Sequence, residues 1–140
     1  MDEALKRAIF KAVEKEPLAR TLGMELVELS EGRSLVRMEY DPASMANIYS
    51  RAHGGVLFSL VDGAFETVSQ TCGQITVALN VNMTYVKSPD AACTLFAEAS
   101  LTAETKKTAS YSIRVTNRGG ELLAFCQALA YRTGKPIPFV

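Results

Sequence analysis

The chain contains no tryptophan and a single histidine, His53, and its three cysteines, Cys72, Cys93 and Cys126, never pair as Cys-x-x-Cys. An odd number of thiols with one imidazole supplies neither a disulfide framework nor a zinc ligand set. Free thiols fit a reducing compartment. Neither sign of charge is in excess: 15 Lys and Arg balance 15 Asp and Glu. That balance leaves out the electrostatic footprint of a nucleic-acid binder or of a protein held to an anionic membrane. No run of about 18 apolar residues is long enough to span a bilayer. The start, Met1-Asp2-Glu3-Ala4-Leu5-Lys6-Arg7, lacks the basic-then-apolar order of a signal peptide. A cytoplasmic protein with no nucleic-acid or membrane partner is therefore expected. Repeats, linkers and low-complexity segments are also missing.

What is present is a globular composition, 48% hydrophobic and 21% charged over 140 residues. One domain with a sizeable core is expected. Its organising stretch runs from His53 to Cys72 without a proline, and Gly73 stands where a helix C-cap glycine belongs. Val56, Leu57, Leu60, Val61, Ala64, Phe65 and Val68 recur at helical spacing, so this is the expected core helix. Asp62 lies inside that apolar run. Two readings stay open for it. Either it faces solvent on a polar strip with Ser59, Glu66 and Ser69, or the strip faces a cleft where the carboxylate can act as base or nucleophile.

A short amphipathic helix over residues 2–16, capped by Asp2 and ended before Pro17, is expected to pack on the domain through Leu5, Ala8, Ile9, Ala12 and Val13. Two strands follow, near 23–29 and 34–40, joined at Glu31-Gly32. A loop over 42–52 delivers Asn47 and His53 to the helix start. After Gly73 come four strand candidates, near 75–85, 94–103, 108–117 and 122–132, with turns at Ser88-Pro89-Asp90 and Asn117-Arg118-Gly119-Gly120. In the first, Ile75, Val77, Leu79, Val81, Met83 and Tyr85 alternate with Thr76, Ala78, Asn80, Asn82 and Thr84, which predicts one face against the helix. Four successive strands predict an antiparallel meander, and one long helix wrapped by one curved sheet satisfies every apolar face.

His53-Gly54-Gly55 opens the helix. The first backbone N–H groups of a helix have no internal acceptor and carry the positive end of its dipole. With no side chains in the way, they can meet a carbonyl oxygen gaining negative charge, or equally a phosphate.

Asn47, His53, Gly54 and Asp62, in this order and spacing, resemble the hotdog-fold acyl-CoA thioesterases of the phenylacetate-degradation (PaaI-like) type. There an Asn lies in the loop, a His-Gly-Gly opens the central helix and an Asp follows within it. Leu79 to Pro89, with Asn82, Thr84 and Tyr85, resembles the strand and turn after that helix, and Lys107-Thr108 a later basic turn. The likeness runs over about residues 20 to 133. It implies an α+β hotdog domain over 1–140: a long central helix, a curved antiparallel sheet of about six strands and a short N-terminal helix.

The implied reaction is hydrolysis of an acyl thioester to the free acid and coenzyme A, with coenzyme A part of the substrate and no separate cofactor or metal. Asp62 would be the nucleophile or the general base, and Gly54 would donate its N–H to the thioester carbonyl. Asn47 would help hold the carbonyl or the water, and His53 would orient the site or the leaving thiolate. Gly55 continues the donor end of the helix. Lys87, Lys106, Lys107 and Arg132 are candidates for the nucleotide phosphates, Lys107 foremost. The resemblance further implies homodimers, paired into tetramers, with Asp62 from one chain and the loop-and-glycine part from the other. Ala78 departs from relatives that place a hydroxyl there, for which Thr67 or Thr76 could substitute. Phe58, Phe65 and Tyr49 are candidates for the acyl pocket. The alternatives are a non-catalytic acyl-CoA-binding module and a hotdog hydratase or dehydratase.

Overall fold

A helix apolar on most of its circumference has to be walled in, and the rest of the chain does this with one sheet. The computed structural model describes residues 1–89 and 91–139; Asp90 of the expected Ser88-Pro89-Asp90 turn lies outside the described residues. Helix α1 spans Glu3–Lys15, with the Asp2 carboxylate accepting from the Leu5 N–H at 3.4 Å. Pro17 stops it, but also begins a short helix, α2, Pro17–Leu22, that the sequence reading did not anticipate. Proline at the first helical position has no N–H to lose and a φ already set for the helix. Strands β1 (Glu25–Ser30) and β2 (Arg33–Tyr40) form the expected hairpin, and a one-turn helix α3 (Pro42–Met45) lies in the loop before the core helix.

The core helix α4 covers Gly54–Ser69 and tightens into a 3₁₀ turn over Gln70–Cys72, ended by Gly73 in the left-handed region at φ 75°. Leu60, Val61, Ala64 and Val68 are wholly buried, each large side chain contributing about 1.5–3 kcal/mol of burial free energy. Phe65 meets the Tyr111 ring at 5.5 Å. The buried Ser34 hydroxyl on β2 donates to the Ala64 carbonyl at 2.8 Å, adding a polar tie between helix and sheet.

Four strands follow: β3 (Gln74–Tyr85), β4 (Cys93–Glu104), β5 (Thr108–Asn117) and β6 (Leu122–Pro136). All pairings are antiparallel, in the order β1-β2-β4-β5-β6-β3. This is the hotdog fold. The meander is β4-β5-β6 only. β3 does not neighbour β4 but lies beyond β6 at the far edge, because α4 carries the chain across the sheet before β3 begins.

The alternation in β3 is broken where the sequence reading had it continuous. A bulge between Ala78 and Asn80 leaves Leu79 without a partner on β6. One inserted residue turns every later side chain to the opposite face. Ala78 pairs with Ala130, while beyond the bulge Val81, Met83 and Tyr85 pair with Ala128, Cys126 and Ala124. Those four β6 residues are all buried, so their partners share the inner face. Val77, expected there, is turned outward and 46% exposed.

If α4 is the core of the fold, Leu60→Ala should cost about 2–5 kcal/mol. Urea titration at fixed protein concentration checks this, and a midpoint shift worth under about 1 kcal/mol would contradict it.

Candidate active site

The loop before α4 is shaped by Asn47. Its Oδ1 accepts from the Tyr49 N–H at 2.9 Å and the Arg51 N–H at 3.1 Å, its own N–H donates to the Arg51 carbonyl at 2.7 Å, and its carbonyl accepts from Ser50 at 3.0 Å. An Asn bonding the backbone two residues on is a turn-former, and it lets Ser50 sit at φ 59°. The carboxamide oxygen is therefore committed to the loop; the side-chain NH₂ has no partner among the described residues.

His53 caps the helix. Its Nδ1 accepts from the Gly55 N–H at 2.9 Å, its carbonyl accepts from the Val56 N–H at 3.0 Å, and its N–H donates to the Met45 carbonyl at 2.9 Å. Gly55 thereby loses its N–H to the cap, whereas the Gly54 N–H has no acceptor among the described residues. Beside it opens a cleft of about 530 Å³ lined by Asn47, Tyr49, Gly54, Leu57, Tyr85 and Lys87, among others. Tyr85 went unnoticed as a site residue in the sequence. Its hydroxyl donates to the Gly54 carbonyl at 3.1 Å across 31 positions of chain, and no local spacing signals such a contact. Backbone bonds stitch the same corner: Ala52 N–H to the Pro89 carbonyl at 3.2 Å, and Val86 and Lys87 N–H to the Leu123 carbonyl at 2.8 and 3.0 Å.

Asp62 is not part of this cleft. It lies eight residues further along α4, about 12 Å along the helix axis. It is open to solvent on one side, yet burial raises its carboxyl above the usual aspartate value. Its negative charge also helps raise the Cys126 thiol, which burial already pushes up. Eight residues at about 100° each also turn Asp62 about 80° around the helix from Gly54. No atom can lie within bonding distance of both Asp62 and the Gly54 N–H of one chain.

The thioesterase superfamily pattern matches residues 49–124, from the Asn47 loop through the start of β6. The acyl-coenzyme A thioesterase PaaI of Escherichia coli is 31% identical over 124 residues, covering 89% of this chain and 88% of that protein. The structure of the E. coli PaaI protein superimposes with a TM-score of 0.89 at 28% identity, covering 95% of this chain and 96% of that one. A Streptococcus mutans protein solved bound to acetyl CoA matches with a TM-score of 0.76 at 28% identity, over 81% and 91% of the two chains.

This chain belongs to the thioesterase superfamily. It is a hotdog thioesterase of the PaaI-like type.

In this PaaI-like chain the other expected site residues fall in three places. Lys87 borders the Gly54 cleft, with its Nζ on Glu121 at 2.5 Å. Lys107 sits at the opposite end of β6, its Nζ 5.7 Å from the Tyr131 ring centre and 3.3 Å from the hydroxyl. Between Ala124, opposite Tyr85, and Tyr131, opposite Thr108, β6 runs about 23 Å. The two lysines of one chain therefore cannot serve one set of phosphates. Arg132 is largely buried and engaged with Glu104, which removes it from that role. Thr67 is 2% exposed, and its hydroxyl donates to the Gly63 and Ala64 carbonyls at 2.9 and 3.1 Å. Thr76 is similarly bonded, to Gln74. Neither hydroxyl stands in for the one missing at Ala78. Phe65 is a core residue rather than a pocket wall; Tyr49 is 78% and Phe58 37% exposed.

Glu66 is exposed, and it lines a second cleft of about 330 Å³ between α1, α4 and the start of β3, with Glu16 facing it. Burial, then the charges of Glu16 and Asp62, push its pKa from the ordinary 4.5 up to about 7. The folded chain thus holds a proton that the unfolded chain releases near pH 4.5. Stability that Glu66 leaves intact below that pH is lost as the pH rises towards about 7. Glu66→Gln should therefore raise the melting temperature at pH 8 and flatten its decline between about pH 5 and 7. Thermal melts across that range check this, and an unchanged slope would contradict it.

Proposed function

We propose that this protein hydrolyses acyl-CoA thioesters carrying aryl-acetyl, aromatic or medium-chain acyl groups, in a site shared between two copies of the chain. The observation that carries this reading is the division of chemistry along α4: an unpaired Gly54 N–H at the helix start, beside a cleft, and a carboxylate about 12 Å away facing another direction. A thioester carbonyl needs donor and base within about 3 Å of the reacting atoms. A second copy supplies what one chain holds apart.

The edge strand supports such pairing. β3 has no charged residue over twelve positions and stands at the sheet's edge, with Leu79 56% and Tyr85 51% exposed. Monomeric proteins usually guard an edge with charge or proline. Pairing of β3 with its twin would extend the sheet and bring the two α4 helices side by side. Phe125, 41% exposed on the outer face, is available for dimers to pair into tetramers. The acyl-coenzyme A thioesterase activity of E. coli PaaI and the acetyl CoA held by the S. mutans protein support the substrate class.

In this reading the Gly54 N–H of one copy, helped by the Asn47 NH₂, bears the charge that develops on the carbonyl oxygen. The Asp62 carboxylate of the other copy either takes a proton from the attacking water or attacks the carbonyl itself. In the first case the C–S bond breaks as water adds, and the proton taken by Asp62 passes to the departing thiolate. In the second the C–S bond breaks to leave an Asp62–acyl anhydride, which water then hydrolyses to the free acid, restoring the carboxylate and supplying the thiolate's proton. His53 serves by capping the helix that carries Gly54.

Thiol release from a panel of phenylacetyl-, benzoyl-, short- and medium-chain acyl-CoA esters tests the proposal and names the acyl group. Tight binding without release would favour the non-catalytic module instead. Asp62→Asn should keep fold and assembly while turnover drops by about 10²–10⁴; near-normal turnover would remove Asp62 from the chemistry. Leu79→Lys should shift the mass seen by light scattering to that of a monomer and abolish turnover without unfolding. An active monomer would sink the shared site.

A further inference from the structure

Gly54 and Gly55 share a peptide group, and it is held at both ends. Its carbonyl, belonging to Gly54, accepts from the Tyr85 hydroxyl at 3.1 Å; its N–H, belonging to Gly55, donates to His53 Nδ1 at 2.9 Å. A peptide unit is a rigid plate, so two bonds on opposite edges set its tilt. The plate pivots on the Gly54 Cα, and the unpaired Gly54 N–H extends from that same atom. A Gly-Gly pair at a helix start otherwise has the widest conformational freedom the chain allows.

The glycines are also explained by this clamp. A Cβ on Gly54 would lie 3.3 Å from the Tyr85 ring and hydroxyl, and one on Gly55 would lie 3.1 Å from His53 Nδ1. The pair makes room for the two side chains that hold it, besides any room it leaves for substrate. Tyr85 is itself anchored. It ends β3 opposite Ala124, and the two residues after it both donate to the Leu123 carbonyl.

We propose that Tyr85 is a positioning residue for hydrolysis: its hydroxyl, acting with the His53 cap, sets the Gly54–Gly55 peptide and so aims the Gly54 N–H at the developing oxyanion. This rests on the proposed role of Gly54 as oxyanion donor. Because β3 is also the strand proposed to meet its twin, the clamp would tie the donor's aim to the same edge that assembles the site.

Tyr85→Phe keeps the ring and removes only the hydroxyl. The expected result is a kcat lowered about 5- to 30-fold, less than the ~10²–10³ of removing a donor outright. KM should stay within about twofold, since the aim matters most in the transition state. The pH–rate profile should keep its inflections, because the hydroxyl takes no part in proton transfer. Hydrogen exchange of the Gly55 amide, followed by NMR, should become faster. A wild-type kcat, a loss confined to KM, or a shifted inflection in Tyr85→Phe would each overturn the proposal. If the wild-type protein releases no thiol from any ester, the proposed activity fails instead. Amide exchange then decides the clamp alone, and an unchanged Gly55 rate in Tyr85→Phe would overturn it.

Discussion

Everything in this fold depends on burying one helix without sealing it in. Leu60, Val61, Ala64 and Val68 demand a wall, and a single antiparallel sheet curves around α4 to provide it. A fully enclosed helix could not keep a carboxylate. Asp62 and Glu66 survive on α4 because the sheet covers only part of the circumference, leaving one strip partly desolvated yet reachable. That partial covering raises both carboxyls, and a carboxylate that binds its proton more tightly is the better base.

The second constraint is the edge that a curved sheet leaves open. β1 and β3 are the two ends, and they are managed differently. β1 carries Glu25 and Glu28, with Glu25 paired to Arg37 at 2.7 Å. β3 carries no charge at all, and Leu79 at its bulge and Val77 before it are both exposed. A bulged, uncharged edge that exposes Val77 and Leu79 is costly for a lone chain in water, and it becomes an asset once a second strand covers it. The same strand delivers Tyr85 to the helix start, so the uncharged edge and the geometry of Gly54 meet in one element.

Much of this was legible residue by residue. The helical spacing from Val56 to Val68 identified the buried face of α4, and Gly73 marked its end. The strand expected near 34–40 formed as β2. His53-Gly54-Gly55 marked the helix start. Other features were hidden because they turn on contacts between distant segments. Nothing local distinguishes Phe65, packed on Tyr111, from Phe58, left partly exposed. Thr67 reads as a spare hydroxyl until its bonds to Gly63 and Ala64 are seen, and Lys87 and Lys107 read as one cluster until β6 separates them.

Periodicity and punctuation along the chain were enough to determine the first helix, the six strands, the central helix and which residues that helix buries. Those properties arise from φ/ψ preferences and from solvent exclusion acting within a dozen residues. The placement of β3 beyond β6, the bulge at Leu79, the desolvation of Glu66 beside Glu16 and the grip of Tyr85 on Gly54 were decided only by tertiary structure. Each depends on a surface contributed by residues far away in sequence, and such a surface exists only after the chain has closed on itself.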